Sequence, residues 1–224
     1  MTSAELLSAL KKLGKPGTAA IYKRHGAGDN VFGVLTSEIG KLVKKIKVDH
    51  ALAMELWKSG NADARMLALQ IADPQKLSEA DAEALLDNPH PHFTAYYLCA
   101  LLARSPVAEA KMRTWMKSTQ ESVRESGYAL LAHRLKGDAD CVSDGDAARI
   151  LATIEKEIHG SANRARYSMN NAVIAIGVFK PSLRKKAVDA AKRIGKVEVD
   201  HGETDCQTPD AVAYIQKAAK RRRS

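Results

Sequence analysis

The chain has 224 residues, of which 45% are hydrophobic, 27% charged and only 5% aromatic, and it carries a formal net charge of +9. This size can bury a sizeable core as one domain or two small ones, and the composition excludes a disordered chain. Few aromatics beside abundant Ala and Leu disfavour a β-sandwich or barrel and favour helices. No apolar run approaches the roughly 20 residues of a membrane span, and the amphipathic start MTSAELLSALKKLGK lacks a signal-peptide core. Three widely spaced cysteines, Cys99, Cys141 and Cys206, make no disulfide framework. The expectation is a soluble, cytoplasmic, all-α protein.

Amphipathic segments of 10–16 residues follow one another between short turns, with almost no period-two alternation. The first cover about 3–13 and 17–25. After a glycine-containing stretch, 26–33, the next starts at Thr36 as N-cap, with Ile39, Leu42, Val43 and Ile46 on its apolar face. Asp49 caps a helix that carries Leu52, Leu56 and Trp57 and stops at Gly60. Asn61 starts one that is apolar nearly all round and is therefore buried between neighbours. Further segments fall near 78–86, 93–104, 107–118, 121–135, 144–158, 162–177, 181–194 and 209–220. Thr208-Pro209 reads as an N-cap with proline at the first helical position, and Gly195 closes the helix before it. The run 196–207 is the one long interruption, with Lys196-Val197-Glu198-Val199 as a short extended piece. A dozen short helices in succession predict an α-solenoid of stacked helical hairpins, with a compact orthogonal bundle as the competing architecture. A single domain is expected over 1–224, with 218–224 as a disordered basic tail.

The charge is uneven. Residues 1–50 carry +5, 51–150 carry −3, and 151–224 carry +7. Basic ends favour a polyanion through counterion release, so nucleic acid is the first partner to consider and a membrane surface is not expected. No phosphate-binding glycine loop, nucleophile elbow or zinc-finger spacing is present. His90 and His92 sit two apart in a proline-rich turn without a third ligand nearby. The segment Asp200-His201-Gly202-Glu203-Thr204-Asp205-Cys206 is rich in ligand types, but reads first as a turn held by Asx-type hydrogen bonds with one buried thiol. Neither a metal nor another cofactor is expected.

Cations gather at four places. Lys23, Arg24 and His25 lie at a predicted helix end before a loop with two glycines, where backbone amides and cations together suit phosphate. They equally offset the dipole of a solvated helix C-terminus. Arg65 stands in an apolar helix, where a charge needs a partner or a groove to emerge into. Arg164, Ser168 and Asn171 recur at i, i+4 and i+7 opposite Ala165, Met169, Ala172 and Ile176. In 181–194, Arg184, Lys185, Lys186, Lys192 and Arg193 oppose Leu183, Ala187, Ala190, Ala191 and Ile194.

Several stretches in this order resemble the DNA alkylation repair family, the HEAT-like repeat alkylpurine DNA glycosylases. They are YKRHGAGDNVFG at 22–33, IKVDH at 46–50, Glu55-Leu56-Trp57 leading to Ala64-Arg65, NRARYSMN at 163–170 and VEVDHGET at 197–204. The resemblance spans about residues 20–215. It implies HEAT-like antiparallel helix pairs with a basic concave face for double-stranded DNA, alkylated or distorted. It also implies metal-free hydrolysis of the N-glycosidic bond of N3- and N7-alkylated purines. In the active members two tryptophans and an aspartate contact the deoxyribose, and an arginine holds the backbone. The alkylated base leaves neutral, so the protein need only stabilise positive charge on the sugar and position water.

The sequence departs from that pattern. The family's Trp-x-x-x-Asp motif aligns Phe93 with the tryptophan and Tyr97 with the aspartate. The second tryptophan falls near Asn171, and the arginine falls near Arg124-Glu125, with Glu125 the closer match and Arg124 reached by a one-residue shift. A phenol, with a reference pKa near 10, does not offset a cation as a carboxylate does. The candidate pocket is thus Phe93, Tyr97 and Asn171. The candidate DNA contacts are Lys23, Arg24, His25, Arg65, Arg124, Arg164, Arg166, Lys185 and Lys192. Three readings follow: an alkylpurine glycosylase, a noncatalytic binder of damaged or branched DNA, or a protein-protein scaffold. A monomer that associates with the nucleoid when bound to DNA fits the first two.

Overall fold

The computed structural model describes residues 1–87 and 92–221, apart from the side chains of Asp87, His92 and Phe93. Among the described residues the regular structure is wholly helical. In chain order the helices are α1 (Ser3–Leu13), α2 (Pro16–Arg24), α3 (Thr36–Ile46), α4 (His50–Lys58), α5 (Ala62–Ile71) and α6 (Glu79–Asp87). Then come α7 (His92–Leu102), α8 (Ala108–Trp115), α9 (Glu121–Gly137), α10 (Asp144–Glu157), α11 (Asn163–Phe179), α12 (Arg184–Ile194) and α13 (Ala211–Arg221). Single 3-10 turns stand before α6, α10, α11 and α12.

Local chemistry sets most of these boundaries. Asp49 accepts the Leu52 amide at 3.1 Å to start α4, and Asn61 accepts the Ala64 amide at 3.1 Å to start α5. Replacing Asp49 with alanine is expected to cost about 1 kcal/mol, read as a lower urea midpoint with an unchanged slope. Gly195 closes α12 at φ +69°, where a side chain would be strained.

Two expected caps differ. Thr36 is the first helical residue of α3, behind Leu35, and makes no side-chain cap. At α13 the cap is Asp210, whose carboxylate accepts the Ala213 amide at 2.9 Å, so the helix begins two residues after Pro209. Thr208 lies 3.0 Å from His201 Nε2 through its hydroxyl instead. The segment 196–199 forms no strand, although Val197 is buried. α13 continues through 218–221, the first part of the stretch expected as a disordered tail, and 222–224 lie outside the described residues.

Contacts cluster in two compact units, Met1–Val107 with Gly202–Thr204, and Ala108–His201 with Asp205–Ser224. In the first, α4 and α5 form an antiparallel pair, and α3 and α7 both pack against α5. All of α5 except Arg65 and Gln70 is buried, as its apolar circumference predicts. Leu6, Leu10, Ile39, Leu56, Leu67 and Leu98 complete that core.

In the second unit, α8–α9, α10–α11 and α12–α13 are successive pairs. α9 and α11 run side by side in the same direction. Arg164, in the first turn of α11, meets Glu121 and Glu125 in the first turns of α9, and Lys180, just past α11, donates to the Ala139 carbonyl just past α9 at 2.8 Å. α13 continues this layer on α11, while α10 and α12 pack together in the other. This is the expected HEAT-like arrangement of antiparallel helix pairs. Its close approaches need small residues: a Cβ on Gly127 of α9 would lie 2.4 Å from the Met116 nitrogen, just past the end of α8. Tyr128, Leu131, Leu151, Met169, Ile176 and Ile215 fill the core, each large side chain contributing about 1.5–3 kcal/mol by burial.

Candidate nucleic-acid interface

In the first unit, α2 ends at Lys23, Arg24 and the half-buried His25, and both cations are exposed. Lys23 forms an ion pair with Asp29 at 2.8 Å, holding that exposed carboxyl below its usual range. Arg24 makes no ion pair among the described residues. The following loop is fixed from below. Asp63, fully buried in the first turn of α5, accepts the amides of Phe32 at 2.6 Å, Gly33 at 3.1 Å and Val34 at 2.7 Å. The expected phosphate role of the loop amides is corrected here for these three, which serve an internal carboxylate.

Gly33 takes φ +80° and approaches α2 so closely that a Cβ would lie 2.3 Å from the Ala19 nitrogen. Tyr22 anchors the same loop by donating its hydroxyl to the Val34 carbonyl at 2.8 Å, and burial pushes its pKa up.

Arg65 emerges from α5 as its isolation in the sequence requires. Its Nε donates to the Trp57 carbonyl at 3.3 Å, and the guanidinium lies over the Trp57 ring, 4.9 Å from the centroid. Burial lowers its pKa. On α7, the half-buried Tyr97 meets Tyr96 edge-on, with centroids 5.5 Å apart. His90 lies outside the described residues, as do the side chains of His92 and Phe93. Tyr97 belongs to the first unit and Asn171 to the second.

In the second unit the side-by-side starts of α9 and α11 gather charge. Arg124 pairs with Glu157 and stands 6.0 Å from the Tyr128 ring centroid. Arg164 reaches Glu125 at 3.4 Å while its backbone amide donates to Glu121 at 2.6 Å. The same guanidinium lies over Tyr167, whose ring meets His201 edge-on at 5.4 Å. These glutamates are charged neighbours of the candidate cations that periodicity alone did not single out. Their signal was the acidic residues recurring at 121, 125 and 157 opposite basic ones.

Arg166 is half-buried and makes no hydrogen bond or ion pair among the described residues. Its Nε, like that of Arg124, is buried without an acceptor. The polar row on α11 is only partly a surface. Ser168 is buried and bonds back to the Ala165 carbonyl at 3.2 Å, and Asn171 is half-buried.

Lys185 and Lys192 lie on α12, in the layer of α10 rather than that of α9 and α11. Lys185 pairs with Asp189 at 2.6 Å, and Lys192 is exposed with no ion pair among the described residues. Arg193 holds Glu155 of α10 through two hydrogen bonds of 2.6 and 2.9 Å. The opposite face of α12, with Ala187, Ala190, Ala191 and Ile194, is buried as expected.

The segment after α12 is a pinned strap. Asn163 donates to the Asp200 carbonyl at 2.7 Å and accepts the Asp200 amide at 2.8 Å. Cys206 is exposed, which corrects the expected buried thiol. A cleft of about 800 Å³ lies beneath this strap, between it and the facing ends of α12 and α13. No three His, Cys, Asp or Glu side chains among the described residues converge to hold a metal. No described helix is long and apolar enough to cross a membrane.

The family model for the DNA alkylation repair enzyme matches residues 6–215. An uncharacterized protein of Listeria innocua is 28% identical over 228 residues, covering 99% of both chains. One of Listeria monocytogenes is 28% identical over 227 residues, with the same coverage. A solved structure covers 100% of this chain and 96% of its own, at 31% identity and a TM-score of 0.91. It is from a new family of proteins related to the HEAT-like repeat DNA glycosylases, with affinity for branched DNA structures.

Proposed function

The chain belongs to the DNA alkylation repair family, and from that membership we propose that it is a noncatalytic binder of branched DNA. The observation that carries this reading is that Arg24, Arg166 and Lys192 make no ion pair among the described residues, which leaves their charge for a polyanion. A cation that meets a phosphate releases counterions condensed on the DNA, and the phosphate oxygen supplies its acceptor. The solved relative with affinity for branched DNA supports the choice of ligand.

Base excision is the weaker reading because α7 carries no Asp or Glu from residue 94 to 102. Tyr97 stands where the resemblance calls for the carboxylate. A neutral phenol hydrogen-bonds to a sugar, yet it supplies no negative charge to an oxocarbenium-like centre. On this reading the protein works as a cytoplasmic monomer that associates with the nucleoid.

The test is fluorescence anisotropy with a four-way junction and a linear duplex of matched sequence, across a salt series, beside an assay of methylpurine release. The expected result is tighter binding to the junction, a steep fall of affinity with salt, and no release above the spontaneous rate. Replacing Arg166 with glutamine should reduce the salt slope by about one, as should removal of Arg24. Release above background restores the glycosylase reading. Negligible binding at physiological salt favours a scaffold for another protein.

A further inference from the structure

We propose that the turn between α3 and α4 is a second phosphate-binding edge of the first unit, with Lys47 held in a strained backbone to present its ammonium to DNA. This rests on the DNA-binding reading above and adds a contact surface to it. Lys47 takes φ +66° and ψ −118°, and among the described residues no other non-glycine residue has a positive φ. A Cβ is crowded by its own backbone there, whereas glycine sits without strain.

The turn imposes this conformation. The Lys47 amide closes α3 on the Val43 carbonyl at 2.8 Å, and the Asp49 amide donates to the Ile71 carbonyl at 2.9 Å. Asp49 then caps α4, so Lys47 and Val48 alone redirect the chain. Both are exposed, so packing does not call for a lysine. A strained residue kept where glycine would relax it implies that its side chain is used.

The surrounding charge is unmatched. Lys44, Lys45 and Lys47 are exposed and make no ion pair among the described residues. No acid occurs from 39 to 48. Glu38 holds Lys41 at 2.8 Å, and the Asp49 carboxylate is engaged on the Leu52 amide. The dipole of α3 accounts for Lys44 and Lys45 in its last turn, but it gives no reason to strain Lys47 beyond the helix. Ammonium groups on such an edge read charge and not sequence, which suits the DNA backbone.

The edge is separate from Lys23 and Arg24. The loop after those two is bonded to Asp63 in the first turn of α5, while the Lys47 turn is bonded to Ile71, its last residue. The two groups adjoin opposite ends of a helix about 15 Å long, a span that one DNA strand covers in about four to five phosphates.

The experiment measures urea midpoints, and DNA affinity across a salt series, on a four-way junction and a matched linear duplex. Lys47→Gly should raise the urea midpoint, because relief of strain outweighs the added freedom of the unfolded chain. The same variant should reduce the salt slope by about one, and Lys44→Gln, Lys45→Gln and Lys47→Gly together by about three. Lys47→Arg should keep both midpoint and slope. Lys41→Gln, which removes a matched cation from the same helix, should change the slope by much less than one. An unchanged slope in the triple variant, an equal loss in Lys41→Gln, or a lower midpoint in Lys47→Gly overturns this edge alone. Wild-type protein without salt-dependent DNA binding overturns the DNA-binding reading and this inference together.

Discussion

Asp63→Ala is expected to destabilise the protein by about 3–5 kcal/mol, a large share of the 5–15 kcal/mol that holds a domain together. Asp63 is fully buried, and its two oxygens accept three consecutive backbone amides, those of Phe32, Gly33 and Val34. Removing the carboxylate strands the Gly33 and Val34 donors in the interior and the Phe32 donor partly so. Each fully buried donor without an acceptor costs about 1–3 kcal/mol.

The loop cannot turn to find other partners. Gly33 is wedged against α2 at φ +80°, and Tyr22 holds the Val34 carbonyl. Asp63→Asn should retain about half of the stability, since the amide offers one acceptor oxygen and turns an NH₂ toward a donor. Urea midpoints for the two variants check this, and hydrogen exchange at residues 32–34 should quicken in both. Midpoints shifted by less than about 0.5 kcal/mol would show that the loop stands without the carboxylate.

Asp63 also shows what the sequence concealed. The helix boundaries were legible because capping is local: Asp49, Asn61 and Gly195 act within a few residues of themselves. The buried circumference of α5 was legible for the same reason. The partner of Asp63 lies thirty residues away in a loop, and nothing in periodicity names it. The usable signal was its isolation, since an acid in a helix with no polar face must be paired. That argument exposed Arg65 and applied equally to Asp63. The cap of α13 was misread because Thr208, Pro209 and Asp210 are all suitable, and only the tertiary contact of Thr208 with His201 decides among them.

The candidate interface was legible in kind more than in geometry. Basic residues at 23–25, 124, 164–166 and 185–192 stand out in any charge map. Which of them are already matched depends on neighbours from other helices. Glu125, Glu157 and Asp189 hold Arg164, Arg124 and Lys185, whereas Arg24, Arg166 and Lys192 keep no ion pair among the described residues. Charge in the sequence adds without regard to such pairing, so it overstates the cation offered to a polyanion.

Acid should weaken the protein well above the carboxylate range, through His133. Burial in α9, reinforced by the positive charge of Lys136, lowers the His133 pKa to about 4, against about 6.5 in an unfolded chain. Above pH 6.5 both states leave the ring neutral, and it makes no pH-dependent contribution. As pH falls from 6.5 toward 4, the unfolded chain takes up a proton that the folded one refuses, so stability is lost across that window. Between pH 7 and pH 5 the loss is about 1–2 kcal/mol, allowing for the partial exposure of the ring.

The carboxylates held low by cations or hydroxyls, among them Asp81, Asp144 and Glu155, act in the same direction but at lower pH. Their folded-state pKa values lie below the ordinary carboxylate range, so their contribution is present above about pH 4–5 and is lost as pH falls from there through the lowered values. The two effects therefore separate on the pH axis. Urea midpoints at pH 7 and pH 5 should differ in the wild type by this amount, and His133→Leu should remove most of the difference while leaving the fall below pH 4. An unchanged difference in His133→Leu would assign the loss to other groups. The same measurement bears on binding assays: a loss of about 1–2 kcal/mol out of about 5–15 leaves the protein folded at pH 5, so a fall in DNA affinity between pH 7 and pH 5 would not be unfolding.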